Sequence, residues 1–276
     1  GMSARTAKGL DLLVELAELL QCPVIDQKRR MNFPTRHPLN QTWRNRAVLA
    51  DADLIVGLEV WDFYGVVNAQ NGWYKVEPRR LVKPAAKLVS IAATDVFYKS
   101  NYQTFFRNAE VDLAISGDAE ATMPSLLEAV KKLLTEDKKL AYAARGKKLA
   151  EASKKLLEEH RTNATYAWDA IPISTARFSM EVWNAIRNED WTLASDSFWV
   201  SHWPQKLWDI NKHHQYIGGA GGEGVGYMAG GSLGAALANK KHGRVTVSMQ
   251  CDGDLMYSPG VLWTAARHRI PILYLM

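Results

Sequence analysis

The sequence predicts an α/β protein built from two open parallel sheets, the second of them truncated. Apolar runs at residues 52–60, 87–93 and 111–116 and the β-branched run at 245–249 are separated by enough chain for crossovers, which parallel strands require. Between them the apolar residues recur at helical spacing, so strands and helices alternate. The chain then ends at Met276 inside the apolar run 270–276, and a buried strand there still needs a neighbour. The chain therefore reads as a fragment.

Taken in order, Leu13, Leu16, Ala17 and Leu20 share one face of a helix that Pro23 ends, just before the short run Val24-Ile25. Residues 26–45 are polar and basic and read as a long loop. The three runs that follow, 52–60, 87–93 and 111–116, read as buried strands. Residues 122–134 read as a helix, with Pro124 in its first turn and Leu126, Val130 and Leu133 on one face. These elements make residues 1–135 the first domain.

Residues 136–170 form a helical linker. The stretch is rich in Lys, Ala, Leu and Glu, and its Gly146 and unbroken charge make it a poor core element. From 171 to 276 alternation resumes as the second domain, with a helix at 176–188, a strand at 191–196, a glycine-rich stretch and its helix, the 245–249 strand, a helix at 258–268 and a last strand from Ile270.

Composition narrows the function classes. With 47% hydrophobic and 23% charged residues, the 276-residue chain is of ordinary globular make-up. The net charge of +5 comes largely from residues 131–155, where Glu and Asp interleave with Lys; that pattern fits a solvated helix and not a nucleic-acid stripe. Cys22 and Cys251 have neither metal-ligand spacing nor a disulfide framework, which points to reduced thiols and a cytoplasmic setting. No apolar run reaches membrane-spanning length, so neither a nucleic acid nor a membrane is an expected partner. The chain begins with Gly1, which is read as a cloning scar or an internal cut.

The chemistry concentrates in two stretches. In the first, the 245–249 strand breaks into Asp252-Gly253-Asp254, placing two carboxylates at a strand's carboxyl end, where α/β sheets bind ligands. Such hard oxygen donors suit Mg²⁺ or Ca²⁺, and Gly253 lets backbone N–H groups approach a phosphate; an ordinary Asp-Gly turn is the competing reading. The second is the glycine-rich run 218–237. Its Gly219 to Gly224 segment is formally a G-x-G-x-x-G, but the polar stretch before it is a poor dinucleotide strand.

Together these two stretches resemble the diphosphate-binding domain of thiamine-diphosphate enzymes of the acetolactate synthase and benzoylformate decarboxylase group. Asp252 and Gly253 match that family's Gly-Asp-Gly signature, whereas Cys251 and Asp254 depart from it, and the asparagine pair that closes the family's segment is not reached before Met276. The resemblance makes 1–135 the family's Rossmann-like middle domain and 171–276 the thiamine-diphosphate-binding domain, incomplete at its C-terminus. It implies thiamine diphosphate and Mg²⁺ as cofactors, Asp252 as metal ligand, and Ser197, Gly222, Gly224, Val225, Gly253 and Asp254 as cofactor-binding residues.

The same resemblance implies a 2-oxo acid substrate, with the thiazolium ring acting as electron sink for decarboxylation or carboligation. It implies a homo-oligomer, dimer or tetramer, with the site between subunits. The family's activating glutamate belongs to a domain outside this chain, so no catalytic residue is named and the chain alone is expected to be inactive. Two other functions stay open: an NAD(P) oxidoreductase using the Gly219–Gly224 loop, and a non-catalytic nucleotide-binding module. Relatives that bind FAD or a nucleotide do so in the middle domain, but no glycine-rich turn follows its first strand, which favours a structural role. Trp199, Trp203 and Trp208 line a substrate entrance or pack in a core or interface.

Overall fold

The computed structural model describes residues 3–27, 30–69, 79–93, 109–218 and 225–276. Within these residues the chain forms two units: one of residues 1–27 and 38–150, the other of residues 28–37 and 151–276. Both carry open parallel sheets, as the alternation of strand and helix periods requires.

In the first unit, helix α1 (Ala7–Leu20) starts at Thr6, whose hydroxyl accepts from the Gly9 N–H, and it buries Leu10, Leu13, Leu16 and Ala17. A single bridge joins Val24 to Asn40. The stretch expected to be loop through residue 45 gives way to a 3-10 turn at Thr42–Arg44 and helix α2 (Asn45–Asp51). Strand β1 (Leu54–Leu58) follows, then α3 (Phe63–Val67), capped by Asp62, and the short antiparallel pair β2 (Asn68–Ala69) and β3 (Arg79–Arg80). Strands β4 (Lys87–Ala92) and β5 (Leu113–Ser116) complete a parallel sheet of order β1-β4-β5. One face of it packs Leu88 against Leu49, Phe63, Val67, Val82 and Ala86.

Several expectations need correcting here. Neither β5, which is exposed along its length, nor β1, where Leu54 and Val56 are exposed, is the buried strand expected, because each has β4 as its sole strand partner among the described residues. Helix α4 (Ala119–Leu133) starts one turn before the expected Thr122. The Asp118 carboxylate caps the Ala121 N–H, which leaves Pro124 in the second turn. Its buried residues are Ala119, Met123 and Leu127, and Leu133 is exposed.

Helix α5 (Glu136–Thr165) occupies most of the expected linker, and the division between the units falls inside it, after Ala150. Its Gly146 is not a defect in the helix. A Cβ there would lie 1.8 Å from the Gln21 side-chain oxygen, and Arg145 donates to the carbonyls of Gln21 (2.9 Å) and Leu20, so the glycine lets α5 seat against the end of α1.

In the second unit, α6 (Thr175–Ile186) is capped by Ser174, and the fully buried β6 (Trp191–Ala194) leads to the short α7 (Trp203–Leu207). Strand β7 (Tyr216–Ile217), α8 (Tyr227–Lys240), β8 (Val245–Met249), α9 (Asp252–Met256), α10 (Gly260–Arg267) and β9 (Leu273–Leu275) follow. The sheet order is β7-β6-β8-β9, all parallel. A stacked and edge-on trio of Trp183, Trp191 and Trp208, with ring centroids 5.5 to 5.8 Å apart, forms much of its core. Trp208 is fully buried and its indole N–H donates to the Ser179 carbonyl at 3.0 Å, so it belongs to that core and not to an entrance.

Residues 30–36 complete this unit from far upstream. The Met31 N–H donates to the Tyr216 carbonyl at 3.1 Å, and the Thr35 hydroxyl lies between the Trp208 carbonyl (2.7 Å) and the Ile210 N–H (3.0 Å). The strip thereby covers the outer edge of β7, which would otherwise present bare backbone groups.

Candidate functional site

The carboxyl ends of β6, β7 and β8 point the same way because the strands are parallel, so the segments leaving them gather at one edge of the second sheet. Ser195, buried just past β6, donates its hydroxyl proton to the Met249 carbonyl at 2.7 Å and ties that end to the end of β8. Past β8, Gln250 is buried, its amide nitrogen 3.2 Å from the Ser248 hydroxyl, and its amide oxygen has no hydrogen-bond partner among the described residues.

The next residues turn outward. Cys251 precedes α9, and Asp252 and Asp254 lie in its first turn, where the exposed backbone N–H groups favour negative charge. Asp252 is exposed, its carboxylate accepting from the Gly253 N–H at 2.9 Å, and a Cβ on Gly253 would meet none of the described residues within 4 Å. Among the described residues, the space over Gly253 and the exposed Asp252 carboxylate leave room for an ion and a phosphate.

Asp254 turns the other way, toward the glycine-rich segment. Its Oδ1 accepts from the Gly226 N–H at 2.8 Å. Gly226 sits at φ +90°, in the left-handed region, and caps α8 without a side chain. A Cβ there would lie 2.5 Å from the Tyr257 Cβ, so the backbone of the α8 start and the end of α9 meet at a distance only glycine permits. The two stretches singled out in the sequence are thus joined by one hydrogen bond and one close approach.

The remaining site residues divide. Val225 is exposed beside Gly226, whereas Ser197 is fully buried: its hydroxyl accepts from the Gln205 amide at 3.1 Å and lies 3.5 Å from the Tyr216 hydroxyl. Gly222 and Gly224 lie outside the described residues. Gly226, Ser195, Gln250 and Tyr257 join the site through the fold and not through the sequence motifs. Among them only Gly226 carried a sequence signal, as the last glycine before the helix period begins. The described residues hold no group of three or more His, Cys, Asp or Glu side chains able to take a metal by themselves. An ion at Asp252 would therefore complete its shell from backbone, cofactor and water oxygens, as Mg²⁺ commonly does.

The chain resembles known proteins in sequence and in fold. Residues 199–276 match the family described as thiamine pyrophosphate enzyme, C-terminal TPP binding domain. The C-terminal part of the second unit is thus similar to a thiamine-pyrophosphate-binding domain. Among solved structures, the chain is similar to the Rhodococcus jostii RHA1 thiamine diphosphate-dependent 4-hydroxybenzoylformate decarboxylase, with a TM-score of 0.67 and 19% identity. That likeness covers 98% of this chain and 46% of the decarboxylase chain, so this chain spans about half the length of that structure, and at this identity the likeness establishes the fold.

Proposed function

We propose that this chain supplies the diphosphate and metal anchorage of a thiamine-diphosphate- and Mg²⁺-dependent enzyme that acts on 2-oxo acids, by decarboxylation or by acetolactate synthase-like carboligation. The observation that carries the reading is the junction of Asp254 with Gly226, which brings the Asp-Gly-Asp turn and the glycine-rich segment to one sheet edge. The matched TPP-binding domain over residues 199–276 supports the cofactor. In this reading residues 1–135 are the middle domain, 136–170 the linker and 171–276 the cofactor-binding domain.

Asp252 would hold the Mg²⁺, because its carboxylate is exposed and anionic beside open space. Gly253 would let the backbone reach the diphosphate, and Asp254 fixes the turn through Gly226. Val225 would support the cofactor from the loop, with Gly222 and Gly224 allowing the loop's approach. Ser197, held by Gln205, would steady the floor. The cofactor, when bound, supplies the electron sink for cleavage or formation of the bond next to the carbonyl.

A homodimer or tetramer, with the site between subunits, fits the exposed apolar residues Phe198, Val225, Met256, Tyr257 and Trp263 of the same unit. A cytoplasmic setting fits the two free cysteines, and no helix among the described residues is long and apolar enough to cross a membrane.

The test is titration calorimetry with thiamine diphosphate, with and without Mg²⁺, on the longest natural polypeptide that carries this chain. Binding that requires Mg²⁺ and weakens sharply in Asp252→Asn is expected. Equal affinity in both proteins would remove Asp252 from the metal site.

A further inference from the structure

The first unit has its own strand-end crevice, at the carboxyl ends of β1, β4 and β5, where open α/β sheets ordinarily receive nucleotides on helix N-terminal amides. Here those amides already have anions. Glu59, directly after β1, lies at φ +48°, an uncommon conformation for a residue with a side chain. Its carboxylate accepts from the Ala119 N–H at 3.0 Å, at the start of α4, and from the Ala93 N–H at 3.3 Å, at the end of β4. Asp118 accepts from the Ala121 N–H at 3.0 Å, and the Glu120 N–H adds to the hold on the same carboxylate. The free amides in the first turn of α4 are therefore taken.

The start of α1 is closed in the same way. Thr6 caps the Gly9 N–H at 3.0 Å and donates its own proton to Glu120 at 2.7 Å, while Arg5 pairs with Asp118 and Glu120. A Cβ on Gly9 would lie 2.4 Å from the Glu120 carboxyl carbon, so that carboxylate rests directly on the helix backbone. Among the described residues here, three carboxylates, Glu59, Asp118 and Glu120, gather around one guanidinium, Arg5, so their own balance is negative.

We infer that this crevice is closed by the protein's own carboxylates and takes no nucleotide, so that Glu59 stands where a ligand's phosphate would and acts as a positioning residue that ties β1, β4 and α4 together. The inference is independent of the thiamine diphosphate site.

Two measurements test it, with ADP and FAD as probes at about 1 mM, a concentration at which even a ligand of ~10 µM Kd stabilises clearly. Calorimetry on the whole chain should give no saturable binding accompanied by hydrogen-exchange protection at residues 117–121. In thermal melts Glu59→Ala should unfold several degrees below the parent, and Glu59→Gln, which keeps an acceptor oxygen, close to it. Saturable binding with protection at 117–121 would overturn the inference, as would a Glu59→Ala protein that melts with the parent. If Glu59→Ala does not fold, calorimetry on the unaltered chain decides alone.

Discussion

The Asp254 carboxylate holds the Gly226 N–H at 2.8 Å, across 28 residues of chain and between the starts of α9 and α8. Loss of that acceptor leaves a partly buried donor without its partner, a cost of about 1–2 kcal/mol. Asp254→Ala should therefore lower stability by that amount in urea unfolding. Asp254→Asn keeps an oxygen for the bond and should lose less than half as much.

Gly226→Ala should be worse than either. The new Cβ meets the Tyr257 Cβ at 2.5 Å, both backbones must shift, and φ +90° is strained for alanine. A loss of roughly 2 kcal/mol or more is expected in the same unfolding assay. If Tyr257→Gly restored part of it, the contact rather than the dihedral angle would be the larger cause.

At Asp252 the expectation reverses, with function changing and stability not. The side chain is exposed, so Asp252→Asn should move unfolding free energy by no more than ~0.5 kcal/mol. If Asp252 holds the metal as proposed, Mg²⁺-dependent affinity for thiamine diphosphate falls about tenfold or more, because a hard cation loses its anionic ligand. Calorimetry and urea unfolding on one preparation separate the two effects.

Mild acid should weaken the second unit through His160. Burial first, and then the charges of Lys206 and Arg36, push its imidazole down from 6.5 to about 4. A histidine depressed in this way takes up its proton more readily when unfolded. Its contribution is therefore fully present above about pH 6.5 and is lost as pH falls toward about 4. His160→Gln should flatten that part of the stability profile, read by denaturant midpoints at pH 4, 5, 6 and 7.

Trp208→Ala should cost about 3–5 kcal/mol, since it empties the centre of the Trp183, Trp191 and Trp208 cluster and removes the indole bond to the Ser179 carbonyl. Trp203→Ala, on a half-exposed ring beside Lys206, should cost far less. Chemical unfolding with tryptophan fluorescence reports both.

Much of this fold is legible in the sequence because local signals agree with the tertiary outcome. Strand β4 lies on its apolar run, and α6 begins at the serine that caps it. The parts that escaped depend on distant partners. Tyr216 and Ile217 become a strand only because β6 lies on one side and Met31 on the other, and no periodicity marks two residues. The early start of α4 is fixed by Glu59, sixty residues upstream, as much as by its own cap. At the candidate site, Asp252, Gly253 and Asp254 were visible as a motif. The need for glycine at 226 comes from Tyr257, thirty-one residues later, and no reading of the loop alone contains that contact.

The strip at residues 30–36 makes chain order and spatial order disagree. The second unit borrows its outermost segment from within the span of the first, so the two are interlaced along the polypeptide. No single cut can then release either of them whole. A polypeptide begun at Ser174 would leave the β7 edge bare and Trp208 and Ile210 without Thr35, and should aggregate through that edge more readily than the longer chain. The same interlacing constrains exchange of modules between related genes: a crossover point within α5 would hand the recipient a sheet whose protective border had stayed behind.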